Sequence, residues 1–241
     1  MNKTIAASRP EMSKYAPRVY KITVPTEKIG AVNTILIRNR RLTGYNTDSI
    51  GLRMALKELG WPACRAAQRG AGRRPRPACV VILGAGGAAR AAAWELSRIR
   101  GSCLTIANRH LQRAQRLARW LSRRRPQVCV EAVPLKRVVL DDADLVINAT
   151  TVGMRASDGS PVNPRQLRRD MFVYDLVYHR DTALVRAAQR RGCVAANGLS
   201  MLLYQGAASL RLWLHRTPPI ALMRKALERA ATSDMRQATR P

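Results

Sequence analysis

Short apolar runs alternate with longer helix-favouring segments over residues 79–196. The runs are rich in β-branched residues and are bounded by turn residues, which is typical of buried strands. The pattern predicts strands at 79–83, 103–107, 129–133, 144–148, 172–177 and 194–196, and helices at 87–100, 111–123 and 182–191. Strands and helices that alternate in this way predict an α/β fold with a doubly wound parallel sheet and right-handed crossovers.

The flanking segments predict a smaller unit and a helical end. Two short strands, at 31–37 and 42–46, are separated by a turn at 39–41, and a helix runs from about Asp48 to Leu59 with Asn46 or Thr47 as its cap. Residues 62–78 are rich in Arg, Ala, Gly and Pro and predict a linker or exposed loop. Two further helices, at about 199–215 and 219–231, are expected to end the chain.

A glycine-rich turn directly follows the strand at 79–83. Gly84, Gly86 and Ala89 have the spacing of a dinucleotide-binding turn with Ala in the third place. The first glycine permits a tight turn, the second lets a diphosphate approach the backbone, and the alanine lets the helix lie close to the strand. The N–H groups at the start of the helix then face the phosphates. We expect the cofactor to contact Gly84, Ala85, Gly86, Gly87 and Ala88.

The end of the next strand indicates which dinucleotide is bound. Asn108 and Arg109 stand where an acidic residue would hold the ribose hydroxyls in an NAD site, and Arg113 follows one helical turn later. An acid would repel a 2′-phosphate, whereas a guanidinium binds it. The residues therefore favour NADP over NAD.

The composition is that of a globular protein with an unusual charge. The 241 residues include 43 Lys and Arg against 15 Asp and Glu, for a formal net charge of +28. Nucleic-acid binding is one interpretation, but aromatic residues make up only 5% of the chain and offer few stacking platforms. We expect arginine-rich solvated surfaces with at most weak, salt-sensitive binding to polyanions.

Neither a membrane span nor a secretory signal is predicted, so we expect a cytoplasmic protein. Five cysteines, Cys64, Cys79, Cys103, Cys129 and Cys193, are not spaced as metal ligands. They are expected to be small, reduced core residues, and no metal site is predicted.

Seven ordered segments together resemble shikimate dehydrogenase, and the likeness runs from about residue 29 to the end of the chain. They are Gly30-Ala31-Val32-Asn33-Thr34, Gly44-Tyr45-Asn46-Thr47-Asp48, Gly84-Ala85-Gly86-Gly87-Ala88, Asn108-Arg109, Ile147-Asn148-Ala149-Thr150 with Gly153-Met154, Asp175-Leu176-Val177-Tyr178, and Asn197-Gly198-Leu199-Ser200-Met201-Leu202-Leu203-Tyr204-Gln205.

The resemblance implies a fold and an activity. It implies a Rossmann domain at 61–198 that binds NADP, and a shortened α/β substrate domain at 1–60 that the helices of 199–241 complete. The implied reaction is the reversible, NADPH-dependent reduction of 3-dehydroshikimate to shikimate, a step towards chorismate and the aromatic amino acids. The alternatives are an impaired NADP-binding relative, a quinate/shikimate dehydrogenase and a basic nucleic-acid-binding protein. The chain is expected to be a monomer or a homodimer.

The resemblance also implies roles for single residues. Asp48 and Lys28 match the catalytic pair, which would protonate the oxygen of the reduced carbonyl. The residues implied to bind substrate are Thr23, Asn33, Asp48, Tyr178 and Gln205, and those implied to line the nicotinamide are Leu176 and Gly198. The lysine segment, Thr23 to Lys28, has one residue more than the family motif and lies almost against Gly30, and no Ser-x-Ser pair precedes Asn33. These departures predict the shortening of the substrate domain.

Overall fold

The computed structural model describes residues 29–61 and 78–238. Its strands are β1 (Thr34–Arg38), β2 (Arg41–Tyr45), β3 (Cys79–Leu83), β4 (Cys103–Asn108), β5 (Cys129–Pro134), β6 (Leu145–Asn148), β7 (Phe172–Asp175) and β8 (Val194–Ala196). Its α-helices are α1 (Asp48–Glu58), α2 (Gly87–Leu96), α3 (Leu111–Arg124), α4 (Ala183–Arg190), α5 (Leu199–Leu214) and α6 (Ile220–Ala238). Two 3₁₀ turns, Leu135–Arg137 and Pro164–Gln166, follow β5 and precede β7.

The main sheet has six parallel strands in the order β5-β4-β3-β6-β7-β8. This order reverses direction between β3 and β6, as in a doubly wound dinucleotide-binding fold. Each face of the sheet packs into its own cluster of buried side chains. The structure therefore confirms the α/β fold class and the parallel sheet predicted from the alternating pattern.

Strands β1 and β2 form a separate antiparallel hairpin. Asn39 and Arg40 connect them, and both have positive φ, +48° and +58°. A two-residue hairpin turn with positive φ at both positions matches the twist of the strands it joins. The predicted turn at 39–41 is confirmed at Asn39 and Arg40, whereas Arg41 is already the first residue of β2.

Helix α1 joins the hairpin to the core beneath the sheet. Leu52, Ala55 and Leu56 are buried in the same cluster as the strands β3, β4, β6 and β7, and Trp61 meets Phe172 edge-on at 5.2 Å between ring centroids. The apolar face of α1 therefore packs into the cluster on one face of the main sheet. The domain division at residue 60 stays a prediction, and the predicted linker at 62–78 lies outside the described residues except for Ala78.

The cysteine prediction is wrong in part. Cys193 is buried, but Cys79 and Cys103 are half-buried and Cys129 is exposed. Cys129 starts the edge strand β5, whose amino-terminal end is open to solvent. Cys64 lies outside the described residues. Within the described ranges, no helix is both long and apolar enough to cross a bilayer.

Candidate active site

The glycine-rich turn after β3 fits its neighbours only with glycine at position 84. Gly84 has a φ of +111°, and a Cβ there would lie 2.6 Å from the carbonyl oxygen of Ala149. Its N–H donates to the carbonyl of Ala107 at 2.7 Å. The turn therefore lies against the ends of β4 and β6, at the point where the strand order reverses.

The start of α2 faces open space. Gly86 is the N-cap residue, and a Cβ there would meet nothing within 4 Å. The first N–H groups of a helix have no partner within the helix and carry its positive dipole end. With Gly87 and Ala88 in the first turn and Ala85 against the core, the turn can take a diphosphate at this place.

The predicted ribose-side residues lie at the end of β4. Asn108 donates from Nδ2 to the carbonyl of His110 at 2.9 Å, which orders the turn into α3. Arg109 in that turn and Arg113 in the first turn of α3 are both exposed. Two exposed guanidinium groups beside the end of β4 suit an extra phosphate on the ribose.

The two predicted nicotinamide positions are in contact. Gly198 donates from its N–H to Val177 at 2.9 Å. A Cβ on Gly198 would lie 2.5 Å from the carbonyl oxygen of Leu176. Helix α5 therefore begins directly against the loop that follows β7.

A buried carboxylate that was not among the predicted site residues holds this loop. Asp175 accepts from Asn148 Nδ2 at 2.9 Å and from the N–H of Val177 at 3.0 Å on one oxygen, and from Thr182 Oγ1 at 2.6 Å on the other. Burial raises the pKa of Asp175, and the hydrogen bonds from Asn148, Thr182 and Val177 act in the opposite direction. These contacts tie the ends of β6 and β7 to the start of α4.

Three predicted substrate-site residues, each from a different part of the chain, meet beside α1. Asn33, just before β1, donates from Nδ2 to Asp48 Oδ1 at 2.7 Å and to Gln205 Oε1 at 3.5 Å. The other end of the Asn33 amide accepts from the N–H of Thr47 at 2.8 Å. Asn33 is exposed, while Asp48 and Gln205 are half-buried. The cluster therefore presents a carboxylate and two amides at a surface.

Buried hydroxyl groups support this cluster from behind. Ser209 Oγ is hydrogen-bonded to Thr34 Oγ1 at 2.7 Å and to Thr47 Oγ1 at 3.1 Å. Thr47 Oγ1 also donates to Gln205 Oε1 at 3.3 Å. No sequence signal marks these hydroxyls as site residues, although Thr34 and Thr47 stand beside Asn33 and Asp48 in the quoted motifs.

Opposing effects act on the ionisation of Asp48. Asp48 is the first residue of α1, where the positive end of the helix dipole favours an ionised carboxylate. Burial instead raises the pKa of Asp48, and the hydrogen bond from Asn33 offsets part of that rise. A carboxyl with a raised pKa is better suited to exchange a proton than a fully solvated one.

Helix α1 is fixed by contacts on two sides. Glu95 of α2 is 7% exposed; it accepts from Ser49 Oγ at 2.6 Å and pairs with Arg53 Nε at 3.2 Å. On the other side, a Cβ on Gly51 would lie 2.8 Å from Gln205 Cβ and 2.9 Å from the carbonyl oxygen of Met201. Glycine in a helix interior is unfavourable by itself, so its presence was a signal of close packing that the sequence analysis did not use.

The remaining predicted site residues are Tyr178, Thr23 and Lys28. The ring of Tyr178, after β7, meets His179 edge-on at 5.8 Å between centroids. Thr23 and Lys28 lie outside the described residues. The roles of these three residues stay predictions. Within residues 29–61 and 78–238, no group of three or more His, Cys, Asp or Glu side chains could hold a metal ion.

Comparison with known proteins places these features in a family. Residues 66–189 match the model for "Shikimate / quinate 5-dehydrogenase", and residues 198–228 match that for "Shikimate 5'-dehydrogenase C-terminal domain". A relative from Moorella thermoacetica, named shikimate dehydrogenase (NADP(+)), is 39% identical over 92% of this chain and 72% of its own. One of the same name from Methanocaldococcus jannaschii is 39% identical over 90% of this chain and 73% of its own.

Solved structures give the same result. A shikimate dehydrogenase in complex with NADP+ has a TM-score of 0.76 at 35% identity and covers 92% of this chain and 73% of its own. A shikimate 5-dehydrogenase from Thermus thermophilus in complex with NADP(H) and shikimate has a TM-score of 0.72 at 34% identity, with coverage of 90% and 75%. The resemblance noted in the motifs is confirmed, and the chain belongs to the shikimate dehydrogenase family.

Proposed function

We propose that this chain reduces 3-dehydroshikimate to shikimate with NADPH and catalyses the reverse oxidation with NADP. The observation that carries the proposal is the meeting of Asn33, Asp48 and Gln205 at one surface, with the carboxylate and amides within hydrogen-bond distance. Relatives named shikimate dehydrogenase (NADP(+)) at 39% identity support the choice of reaction and cofactor.

The chain offers a consistent set of groups for the cofactor. The diphosphate would lie on the turn from Gly84 to Ala88, and the 2′-phosphate would lie by Arg109 and Arg113 with Asn108 ordering the turn between them. Leu176 and Gly198 would border the nicotinamide. When bound, NADPH supplies the hydride that reduces the keto carbon.

The proton step falls to Asp48 and a lysine. The carbonyl oxygen acquires negative charge as its carbon is reduced, and it needs a proton at once. Asp48 would hold the substrate hydroxyl, and Lys28 would donate the proton to its oxygen. The hydrogen bond from Asn33 Nδ2 orients the Asp48 carboxylate for this contact.

The amides would recognise the other substrate groups. Gln205 is about seven residues along α5 from Gly198, a rise of about 10 Å, which joins the nicotinamide position to the substrate cluster through one helix. Asn33, Gln205, Tyr178 and Thr23 would bind substrate hydroxyls or the carboxylate. We assign substrate binding to residues 1–60 with 199–241 and cofactor binding to residues 61–198.

Absorbance at the nicotinamide band tests the reaction. The chain is mixed with NADP and shikimate, and the formation of NADPH is followed. A parallel reaction contains quinate in place of shikimate. Turnover with shikimate and slower turnover with quinate are expected. A folded sample that gives no NADPH with either substrate over a wide pH range would contradict the proposal.

A second candidate is a protein that binds NADP without turnover. The lysine segment favours it, because Thr23 to Lys28 has one residue more than the family motif and lies almost against Gly30 in the sequence. Calorimetry separates the two candidates. NADP binding with no shikimate binding would support this second candidate, whereas a ternary complex would exclude it.

The net charge of +28 also favours weak binding to polyanions. No Asp or Glu occurs between Glu95 and Glu131, and this stretch includes the exposed arginines of α3. We infer non-specific binding that disappears at moderate salt, which a band-shift titration measures. The chain is expected to be a monomer or a homodimer, and light scattering would show which of the two it is.

A further inference from the structure

Three cysteines stand side by side at the amino-terminal edge of the sheet. Cys79 on β3 is the register partner of Cys103 on β4, and Cys103 is the register partner of Cys129 on β5. Neighbouring strands lie about 4.8 Å apart, and register partners in parallel strands project to the same face. The three side chains therefore form one row across three strands.

Within this row, Cys103 and Cys129 lie on the two outermost strands at this side of the sheet. Burial and the neighbouring Cys129 thiol raise the pKa of Cys103 to about 11. Two residues further along the same face, Thr105 Oγ1 donates to Glu131 Oε1 at 2.7 Å. The two strands are thus held in register beside the thiols.

The two thiols differ in access to solvent. Cys129 is exposed on the edge strand β5, whereas Cys103 is half-buried on the inner strand β4. A reagent in solution therefore reaches Cys129 first, and Cys103 is the neighbouring thiol on the next strand. The row lies at the opposite end of the sheet from Gly84, so the proposed reductase reaction gives these cysteines no role.

We propose that Cys103 and Cys129 form a dithiol–disulfide site that reacts with small-molecule disulfides. The Cys129 thiolate attacks one sulfur of the reagent, which forms a mixed disulfide and releases the first reagent thiolate. The Cys103 thiolate then attacks the Cys129 sulfur, which forms the Cys103–Cys129 bond and expels the second reagent thiolate. The two protons lost by the cysteines go to the two released thiolates. One reagent disulfide is reduced to two thiols, and two protein thiols are oxidised to one disulfide.

The strand geometry and the ionisation of Cys103 set the character of the site. A disulfide needs Cα atoms about 4.4–6.8 Å apart, and adjacent strands in register meet this requirement. Only the thiolate attacks, so the raised pKa of Cys103 slows the second step at neutral pH. Its rate should rise about tenfold per pH unit between neutral pH and the pKa of Cys103.

Peptide mapping of the full chain tests the proposal. The reduced protein is incubated with oxidised glutathione at several pH values, the free thiols are alkylated, and tryptic peptides are analysed by mass. Arg90, Arg100, Arg109 and Arg124 place Cys79, Cys103 and Cys129 on separate tryptic peptides. The expected product joins the Cys103 and Cys129 peptides and retains no glutathione.

Three variants identify the steps. Cys103→Ser should keep one glutathione on Cys129, and Cys129→Ser should give no disulfide at Cys103. Cys79→Ser, from the same row, should form the Cys103–Cys129 disulfide as the parent does. A parent chain whose two cysteines stay fully alkylatable, or in which Cys103 joins Cys79 instead, would overturn the proposal. Should Cys103→Ser fail to fold, the parent and Cys79→Ser maps still decide.

Discussion

Replacing Gly51 by Ala tests whether the close approach of α1 to α5 positions the site. An alanine in a helix interior is favoured over glycine by about 1 kcal/mol. The added methyl would lie 2.8 Å from Gln205 Cβ and 2.9 Å from the carbonyl oxygen of Met201. Overpacking typically costs about 1–3 kcal/mol, and the Met201 carbonyl belongs to helix backbone that cannot turn aside. Because two atoms, one of them backbone, lie closer than 3.0 Å, we expect the overlap to cost about 2–3 kcal/mol, which leaves a net destabilisation of about 1–2 kcal/mol.

Gly206 provides a matched control on the facing helix. A Cβ at Gly206 would have its nearest neighbour, Met223 Cε, at 4.0 Å. Gly206→Ala therefore raises the helix propensity of α5 without steric overlap with neighbouring atoms. At this chain length about 1 kcal/mol moves the thermal midpoint by roughly 2–4 °C. Gly51→Ala should unfold about 2–8 °C below the parent in a circular-dichroism melt, and Gly206→Ala at or slightly above it. Gly51→Ala should also weaken shikimate binding and spare NADP binding. A Gly51→Ala chain as stable as the parent would refute the packing argument.

Other substitutions test the proposed chemistry. Asp48→Asn should lower turnover roughly 10²–10⁴-fold with little change in NADP affinity, as measured by steady-state rates and calorimetry. Because burial raises the pKa of Asp48 in the folded chain, ionisation of its carboxyl lowers the free energy of unfolding at neutral pH. Asp48→Asn should therefore melt at a higher temperature than the parent at neutral pH. This difference should vanish below about pH 4, where the carboxyl is protonated in both the folded and the unfolded chain. Arg109→Asp should weaken NADP by about 2–3 kcal/mol and spare NAD, whereas Arg123→Asp should affect both cofactors equally. Asp175→Asn removes an acceptor from the buried Thr182 hydroxyl and should cost about 1–3 kcal/mol in a denaturant titration.

The sheet could be predicted because its signal is local. Each strand is a short apolar run, and each crossover helix lies between two such runs, so the alternation determines the class of fold. The glycine turn is equally local, since the spacing of Gly84, Gly86 and Ala89 directly follows a strand and leads into a helix, and Gly84 has a positive φ there. The exposure of Cys129 is not local. It depends on β5 being the edge strand, which the sequence of β5 alone does not show.

The substrate cluster could not be predicted from spacing. Asn33 and Gln205 are 172 residues apart, and their contact exists only because α5 packs on α1 beside the hairpin. The expectation that they share a site came from the family resemblance. The contacts of Glu95 with Ser49 and Arg53 had no sequence signal, because an acid in an alanine-rich helix ordinarily faces water.

The packing of α1 bears on how the proposed site keeps its geometry. A group that transfers a proton must be held within about half an ångström of its productive position, and rigid elements do this better than loops. Asp48 begins α1, whose Leu52 and Leu56 share one buried cluster with the strand that leads into the Gly84 turn. Glu95 fastens the same helix to α2, which starts at that turn. The Asp48 carboxylate and the Gly84 turn are therefore held by one continuous core. A substitution at Glu95 should alter turnover by shifting Asp48 relative to the Gly84 turn, even though Glu95 touches neither substrate nor cofactor in the proposed site.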